Sequence, residues 1–186
     1  MRGIVLISDG IDSPVAAYMM KNRGMKLIFL HMINEKNKKS VENVKQLIKK
    51  ISPDSKFLTK KHYDTQEKIK KNCNIRYQCV LCKRAMLRAA EIVALEEKAN
   101  FIVVGDNLGQ VASQTLDNLF VLDNATMLPV LRPLLGFDKN EIVAIARKIG
   151  TYEISTRNSS ACMFLPKKPV TKARLQRVIQ EEKKVE

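Results

Sequence analysis

Ile4-Val5-Leu6-Ile7-Ser8-Asp9-Gly10-Ile11-Asp12-Ser13-Pro14 opens the chain and decides its fold. Four consecutive apolar residues read as a strand buried on both faces. The Ser/Asp/Gly turn that follows leads to Pro14, which suits a first helical turn because its missing N–H would have no intrahelical partner there. The spacing predicts a helix over 14–23, stopped by Gly24. The alternation then repeats. Strands are predicted over 27–32, 56–59, 101–104 and near 127–130, with helices over 41–51, 82–98, 111–120 and 140–149, the last capped by Gly150. Strands alternating with helices require crossovers. The expected fold is therefore α/β, a doubly wound parallel sheet of five strands with both faces covered. Such sheets bind ligands beyond the carboxyl ends of their strands, where the chain switches direction.

No repeat, low-complexity tract or Pro/Gly-rich linker divides the sequence, so one domain over 1–186 is expected, with a basic C-terminal extension from about 166. With 186 residues and 45% hydrophobic content, such a domain buries roughly 70% of its unfolded surface without disulfide staples. No apolar run approaches the ~20 residues of a membrane span, and no signal peptide is legible. The expectation is a soluble, cytoplasmic protein without a membrane partner. The formal net charge of +14 points to a polyanion. Between Lys36 and Lys71 there are twelve lysines against four acids, and from Pro166 onward seven basic residues against three acidic. Part of this is a solvated helix face. Beside a phosphate-binding cleft the same charge would hold an RNA backbone without reading bases. The absence of Trp and an aromatic content of 5% exclude a broad base-stacking platform.

Two clusters carry candidate chemistry. In the turn after the first strand, Ser8, Gly10, Asp12 and Ser13 combine small residues and hydroxyls with a helix N-terminus, an arrangement that receives phosphate. Asp12 suits such a site if a magnesium ion bridges it to phosphate. The turn carries no Walker-type glycine–lysine signature, and the six residues alone equally describe a plain N-cap turn. The second cluster is Cys79-Val80-Leu81-Cys82. By itself this pattern fits a zinc half-site, a redox dithiol or an iron–sulfur half-site. Its position at a helix start beside Lys83, Arg84 and Arg88 predicts lowered thiol pKa values. Cys73 reads as structural or incidental, and His62 as a surface residue.

Ser8 to Ser13 resembles the PP-loop, Ser-Gly-Gly-x-Asp-Ser, of ATP-pyrophosphatases. The chain is similar, over nearly its whole length, to the catalytic domain of the tRNA 4-thiouridine synthetase family, which is also linked to thiamine biosynthesis. The likeness rests on several ordered stretches: Ser13-Pro14-Val15-Ala16-Ala17-Tyr18, Cys82-Lys83-Arg84-Ala85-Met86-Leu87-Arg88, and Gly105-Asp106-Asn107-Leu108-Gly109-Gln110-Val111-Ala112-Ser113-Gln114-Thr115. Leu131-Arg132-Pro133-Leu134, Asp138-Lys139, the run from Ile149 to Ser155 and that from Pro166 to Thr171 complete it. Two departures stand out. Asp9 replaces the first loop glycine, and the short lead into the first strand sets the expectation of a form without the family's N-terminal RNA-binding THUMP region.

The resemblance implies an adenine nucleotide alpha-hydrolase-like fold with ATP contacts at Leu6, Ile7, Ser8, Gly10, Asp12, Ser13, His31, Met32, Lys83, Gly105 and Gln114. It implies catalytic roles for Asp12, for Lys139, which would neutralise transferring phosphate, and for Cys162, which would handle sulfur. Cys79, Cys82 and Cys162 match relatives that hold a [4Fe–4S] cluster with one open iron; zinc, or a Cys162 persulfide resolved by Cys79 or Cys82, are the alternatives. The implied activity is an ATP-dependent tRNA sulfurtransferase that adenylates a uridine and replaces its oxygen by sulfur. Its partners would be tRNA, ATP with magnesium, a hydrosulfide or persulfide donor, a separate RNA-binding subunit and a second copy in a homodimer. Arg132 and Arg157 are further expected along the RNA path. Rival readings are the same chemistry on a nucleobase or thiamine precursor, and a non-catalytic partner subunit.

Overall fold

The computed structural model describes residues 1–33, 38–157 and 162–185. Five strands, β1 (Arg2–Leu6), β2 (Lys26–Ile33), β3 (Phe57–Lys61), β4 (Phe101–Val103) and β5 (Val130–Leu131), form one parallel sheet in the order β3-β2-β1-β4-β5. Among the described residues eight helices surround it: α1 (Asp12–Asn22), α2 (Lys38–Ile51), α3 (Tyr63–Asn72), α4 (Gln78–Glu96), α5 (Leu116–Asp123), α6 (Lys139–Lys148), α7 (Tyr152–Thr156) and α8 (Leu175–Glu182). Side chains alternate across the strands, so neighbouring residues serve opposite cores. Ile4, Ile28 and Ile102 face a core closed by Ile69, Leu87, Val93, Leu122 and Val178. Val5, Phe29 and Val103 face the other, closed by Val15, Val44, Ile48 and Ile142. The continuous apolar runs of β1 and β2 are the sequence signature of this two-sided burial. No helix among the described residues is long and apolar enough to cross a membrane.

The doubly wound five-stranded sheet matches the expectation, while some local boundaries differ. The single helix expected over 111–120 is a 3₁₀ turn, Ala112–Gln114, followed by α5. Thr115 divides them: its backbone is extended and its hydroxyl caps α5 by accepting from Asn118 N at 3.3 Å. None of α3, α7 and α8 is among the helices that the sequence predicts. α3 is rich in lysine and buries Gln66 and Ile69 from within its span, too sparse an apolar pattern to announce a helix.

β1 and β4 lie side by side, yet the chain leaves β1 toward β2 and reaches β4 from the other face. Their carboxyl ends therefore open a crevice. One glycine sets its width. A Cβ on Gly105, just beyond β4, would stand 2.6 Å from Ser13 N and 2.8 Å from Ser13 Cα. The approaching group is thus the start of α1 itself, not a ligand alone as a strand-end glycine suggests. Gly105→Ala is expected to cost about 1–3 kcal/mol by urea denaturation, whereas Gly136→Ala, where a Cβ meets open space, should change stability by less than about 0.5 kcal/mol.

The basic C-terminal segment is anchored by acids. Glu182 is buried and receives Arg84 Nε at 2.7 Å and Arg84 Nη2 at 2.9 Å, with Arg88 Nη2 at 2.8 Å. Burial raises the Glu182 carboxyl, but hydrogen bonds from Arg84 and Arg88 and their charges outweigh it and leave the pKa below the usual value. A carboxylate with a depressed folded pKa stabilises above its unfolded value and loses that contribution as pH falls through the folded one. Glu182→Gln is expected to destabilise the chain by about 3 kcal/mol at pH 7. The difference from wild type should shrink as urea midpoints are measured below about pH 4.

Candidate active site

A cavity of about 300 Å³ opens at the carboxyl ends of β1, β2 and β4. Of the eleven residues expected to contact ATP, Leu6, Ile7, Ser8, Gly10, Asp12, Ser13, His31, Met32, Lys83 and Gly105 line it. Gln114 stands one step behind, its Nε2 3.3 Å from Asp106 Oδ1. Asp9 lies outside the cavity wall, which is how the loop accommodates a carboxylate where the family pattern has glycine.

The loop closes on its own serines. Ser13 Oγ accepts from Ser8 N at 2.9 Å and lies 3.1 Å from Ser8 Oγ, and Gly10 N donates to Ser8 Oγ at 3.3 Å. Ser155 on α7 holds the loop from outside, its hydroxyl donating to Gly10 O at 3.2 Å. Ile11, at the N-cap of α1, supplies no side-chain cap. The first amides of α1 are therefore left for an anion. His31 is a brace: its Nδ1–H donates to Ile7 O at 2.8 Å, while Nε2 lies 3.3 Å from Ser40 Oγ. This pairing ties the ends of β1 and β2 to α2, and the carbonyl partner requires the proton on Nδ1.

Two lysines enter the site, each held on a carboxylate. Lys139, the first residue of α6, pairs with Asp12. Its position is fixed by a capping box in which Asp138 Oδ1 accepts from Asn140 N at 2.7 Å and Glu141 N at 2.9 Å, while Glu141 Oε2 accepts from Asp138 N at 2.8 Å. Lys83 Nζ lies 2.6 Å from Asp106 Oδ1. The Gly105–Thr115 motif that contains Asp106 assigns it no role by sequence alone. It is buried where Lys83, Gln114 and Arg132 converge, with Arg132 Nε 3.5 Å from its second oxygen. Burial raises its carboxyl, but the Lys83 ammonium, through charge and hydrogen bond, and Arg132 together hold it below the usual range. Arg132 corrects an expectation. Its side chain is 8% exposed and bound between Asp106 and Asp123, so it belongs to the frame of the site and not to an RNA path. Arg157 is exposed, on a groove shared with Lys49 and Lys50.

The second cluster lies beside the first. Cys79 and Cys82 occupy the start of α4, one helical turn apart, and Cys162 is exposed next to them. Gln66 Nε2 donates to Cys82 Sγ at 3.7 Å and to Cys162 Sγ at 3.9 Å. His62 is not on the surface as expected: it is 6% exposed, with Nε2 3.2 Å from Cys82 Sγ. Burial lowers its pKa to about 4, so the ring is neutral at pH 7. The thiol prediction is also overturned. Burial, reinforced by Cys162, raises Cys79 and pushes Cys82 up to about 12. The cations beside them in sequence are engaged elsewhere, since Arg84 and Arg88 turn to Glu182 and Lys83 turns to Asp106. Cys73 stands apart, its Sγ donating to Glu181 O at 3.2 Å.

The donor chemistry of Cys79, Cys82 and Cys162 suits a thiophilic metal or an iron–sulfur cluster. Yet among the described residues no group of three or more His, Cys, Asp or Glu side chains is arranged to hold a metal ion. The three thiols are therefore neighbours without forming a preassembled metal cage. Exposure and burial predict an order of reactivity. Iodoacetamide at pH 8, followed by peptide mass spectrometry, should modify Cys162 first and Cys82 at least about tenfold more slowly. Equal rates would contradict the burial of Cys82.

Comparisons with known proteins agree with this arrangement. Residues 1–186 match the family described as Thiamine biosynthesis protein (ThiI). The probable tRNA sulfurtransferase of Methanocaldococcus jannaschii is 45% identical over 187 residues, covering 98% of this chain and 49% of that protein. Its counterpart in Moorella thermoacetica is 42% identical over 189 residues, covering 98% and 48%. The chain thus spans about half the length of the curated relatives it matches. A solved 4-thiouridine synthetase–RNA complex with bound ATP is 36% identical, with a TM-score of 0.93 over 99% of this chain and 50% of that one. NMN synthetase from Francisella tularensis, at 15% identity and a TM-score of 0.65 over 91% of this chain and 69% of that one, shares the fold alone. On the match over its whole length, the chain belongs to the ThiI family.

Proposed function

We propose that this chain is the ATP-binding and sulfur-transferring part of a tRNA sulfurtransferase that makes 4-thiouridine. The observation that carries the reading is the junction on α4. Consecutive residues Cys82 and Lys83 send one side chain to the thiol cluster and the other into the nucleotide cavity. Adenylation and sulfur delivery at one carbon atom need that adjacency.

In the adenylation step the uridine O4 attacks the α-phosphorus of ATP. The new O–P bond replaces the bond to the β-phosphate oxygen, and pyrophosphate leaves. The free amides of α1 receive phosphate, and Lys83 and Lys139 exchange their carboxylate partners for developing phosphate charge. Asp12 supplies the hard oxygen ligand that a magnesium ion prefers, and magnesium when bound would neutralise phosphate charge. In the second step the terminal sulfur of a Cys162 persulfide attacks C4, the C4–O bond breaks and AMP departs. The Cys82 thiol then attacks Cys162 Sγ, its proton passing to the departing thionucleobase, which carries the outer sulfur away and leaves a Cys82–Cys162 disulfide. An external dithiol returns two electrons, and a persulfide donor reloads Cys162. Exposed Lys45, Lys49, Lys50, Lys60 and Lys61 supply tRNA backbone contacts, with a further RNA-binding part completing capture.

One observation favours a second sulfur route. The buried CxxC thiols resist ionisation, and a cationic centre would offset that cost. Cys79, Cys82 and Cys162 are the residues that would hold an iron–sulfur cluster, which when bound would supply a place for inorganic sulfide. Iron and acid-labile sulfide in anaerobically purified protein support this route; stoichiometric zinc without iron, or an active metal-free protein, removes it.

The assay of the main reading separates its two steps. With ATP and tRNA lacking 4-thiouridine, Lys139→Ala should reduce pyrophosphate release by about 10²–10³-fold. Cys162→Ser should retain pyrophosphate release and abolish 4-thiouridine formation, read by nucleoside mass spectrometry. Unchanged 4-thiouridine in tRNA from a strain lacking this chain would transfer the chemistry to a nucleobase or thiamine precursor. Absence of pyrophosphate release from wild type would leave a non-catalytic subunit.

A further inference from the structure

Positions 62, 66 and 69 recur at the spacing of one helix face, and all three are buried. Packing alone would place apolar residues there. Only Ile69 complies; the other two are His62 and Gln66. Both polar side chains are directed at sulfur. The carboxamide of Gln66 carries two N–H bonds, and its nitrogen lies 3.7 Å from Cys82 Sγ and 3.9 Å from Cys162 Sγ. His62 Nε2 meets Cys82 from its own position one turn earlier, at 3.2 Å. The main chain of Gln66 is tied as well, its carbonyl accepting from Gln78 Nε2 at 3.1 Å at the start of the helix that bears Cys79 and Cys82. The residue is therefore fixed to one cysteine-bearing element and reaches across to the other, which lies 96 positions further along the chain.

We infer that Gln66 is the positioning residue of the sulfur site, donating one N–H to Cys82 and the other to Cys162 and so holding the two sulfurs close to each other. A thiol alone could meet Cys82 through apolar packing. An amide with two donors and two sulfur acceptors specifies both sulfurs at once, and it binds them more tightly as they gain negative charge. His62, one turn earlier on the same face, meets Cys82 as a second polar partner. The assignment rests on the reading of these cysteines as the sulfur-handling set, but its test needs neither ATP nor tRNA.

In a Cys73→Ser/Cys79→Ser background, Cys82 and Cys162 are the remaining thiols of the chain. Dibromobimane alkylates one thiol and then bridges to a second only if it is held nearby, so the ratio of bridged to singly attached product, read by intact mass, reports the pairing and not the reactivity of the first thiol. Gln66→Leu, which removes the donors at similar volume, is expected to lower that ratio about tenfold while the thermal midpoint stays within a few degrees of the parent. An unchanged ratio overturns the proposal. Should Gln66→Leu fail to fold, Gln66→Met takes its place, being flexible and equally unable to donate; if it too fails, Gln66 is a packing residue and the proposal falls. Loss of 4-thiouridine formation in Cys162→Ser tests the underlying reading separately, because the bridging ratio stands whatever that assay returns.

Discussion

The contact on which the rest depends is the approach of β4 to α1. At Gly105 the carboxyl end of one strand touches the backbone of Ser13, at the start of the helix launched by its neighbour. No side chain fits between them. This brings the phosphate loop, itself drawn shut by Ser8 and Ser13, against the segment carrying Asp106. The crevice of a doubly wound sheet is a topological consequence of strand order. Its width is a matter of one missing methyl group.

Charge within the crevice is kept in balance. Lys139 rests on Asp12, and Lys83 on Asp106. Each lysine is partly exposed, at 44% and 24% of its side chain, so each carries its charge within reach of the cavity and of solvent. The carboxylates differ. Asp12 is partly open to the cavity, whereas Asp106 is buried and bound by Arg132 and Gln114 besides Lys83. One acid is suited to take part in binding, the other to hold the frame.

The strands and the phosphate loop were legible because two-sided burial writes itself as continuous apolar runs, and the loop as small and hydroxyl residues between strand and helix. Ten of the eleven residues expected to contact ATP border one cavity: nine lie at strand ends or in the loop and helix start that follow β1, positions the runs determine, and Lys83 comes from α4. His62, Gln66 and Asp106 were not legible as site residues. Their significance lies in what faces them across the fold, and neither composition nor period records that. The thiol pKa values were misread by the same route. Sequence neighbours Arg84 and Arg88 pointed to thiolates, but adjacent helix positions diverge, and both arginines serve Glu182 instead.

That diversion also changes the meaning of the net charge. Of the tail's acids, Glu181 and Glu182 are buried and paired, while Lys167, Lys168, Lys172 and Arg174 remain exposed. The surface offered by this segment is therefore more positive than the count of seven bases against three acids implies. The Glu182 carboxylate contributes little to the field seen by an approaching polyanion, because the buried Arg84 guanidinium, from outside the tail, cancels its charge at hydrogen-bonding distance, whereas Glu181 offsets the tail's own Arg177 and Lys184. An exposed lysine contributes nearly its whole charge within the ~8 Å over which physiological salt leaves it unscreened. The acids thus hold the helix that ends the tail in place and leave its exterior to the bases. On such a surface phosphate contacts accumulate without sequence preference, because a lysine ammonium meets any backbone phosphate alike.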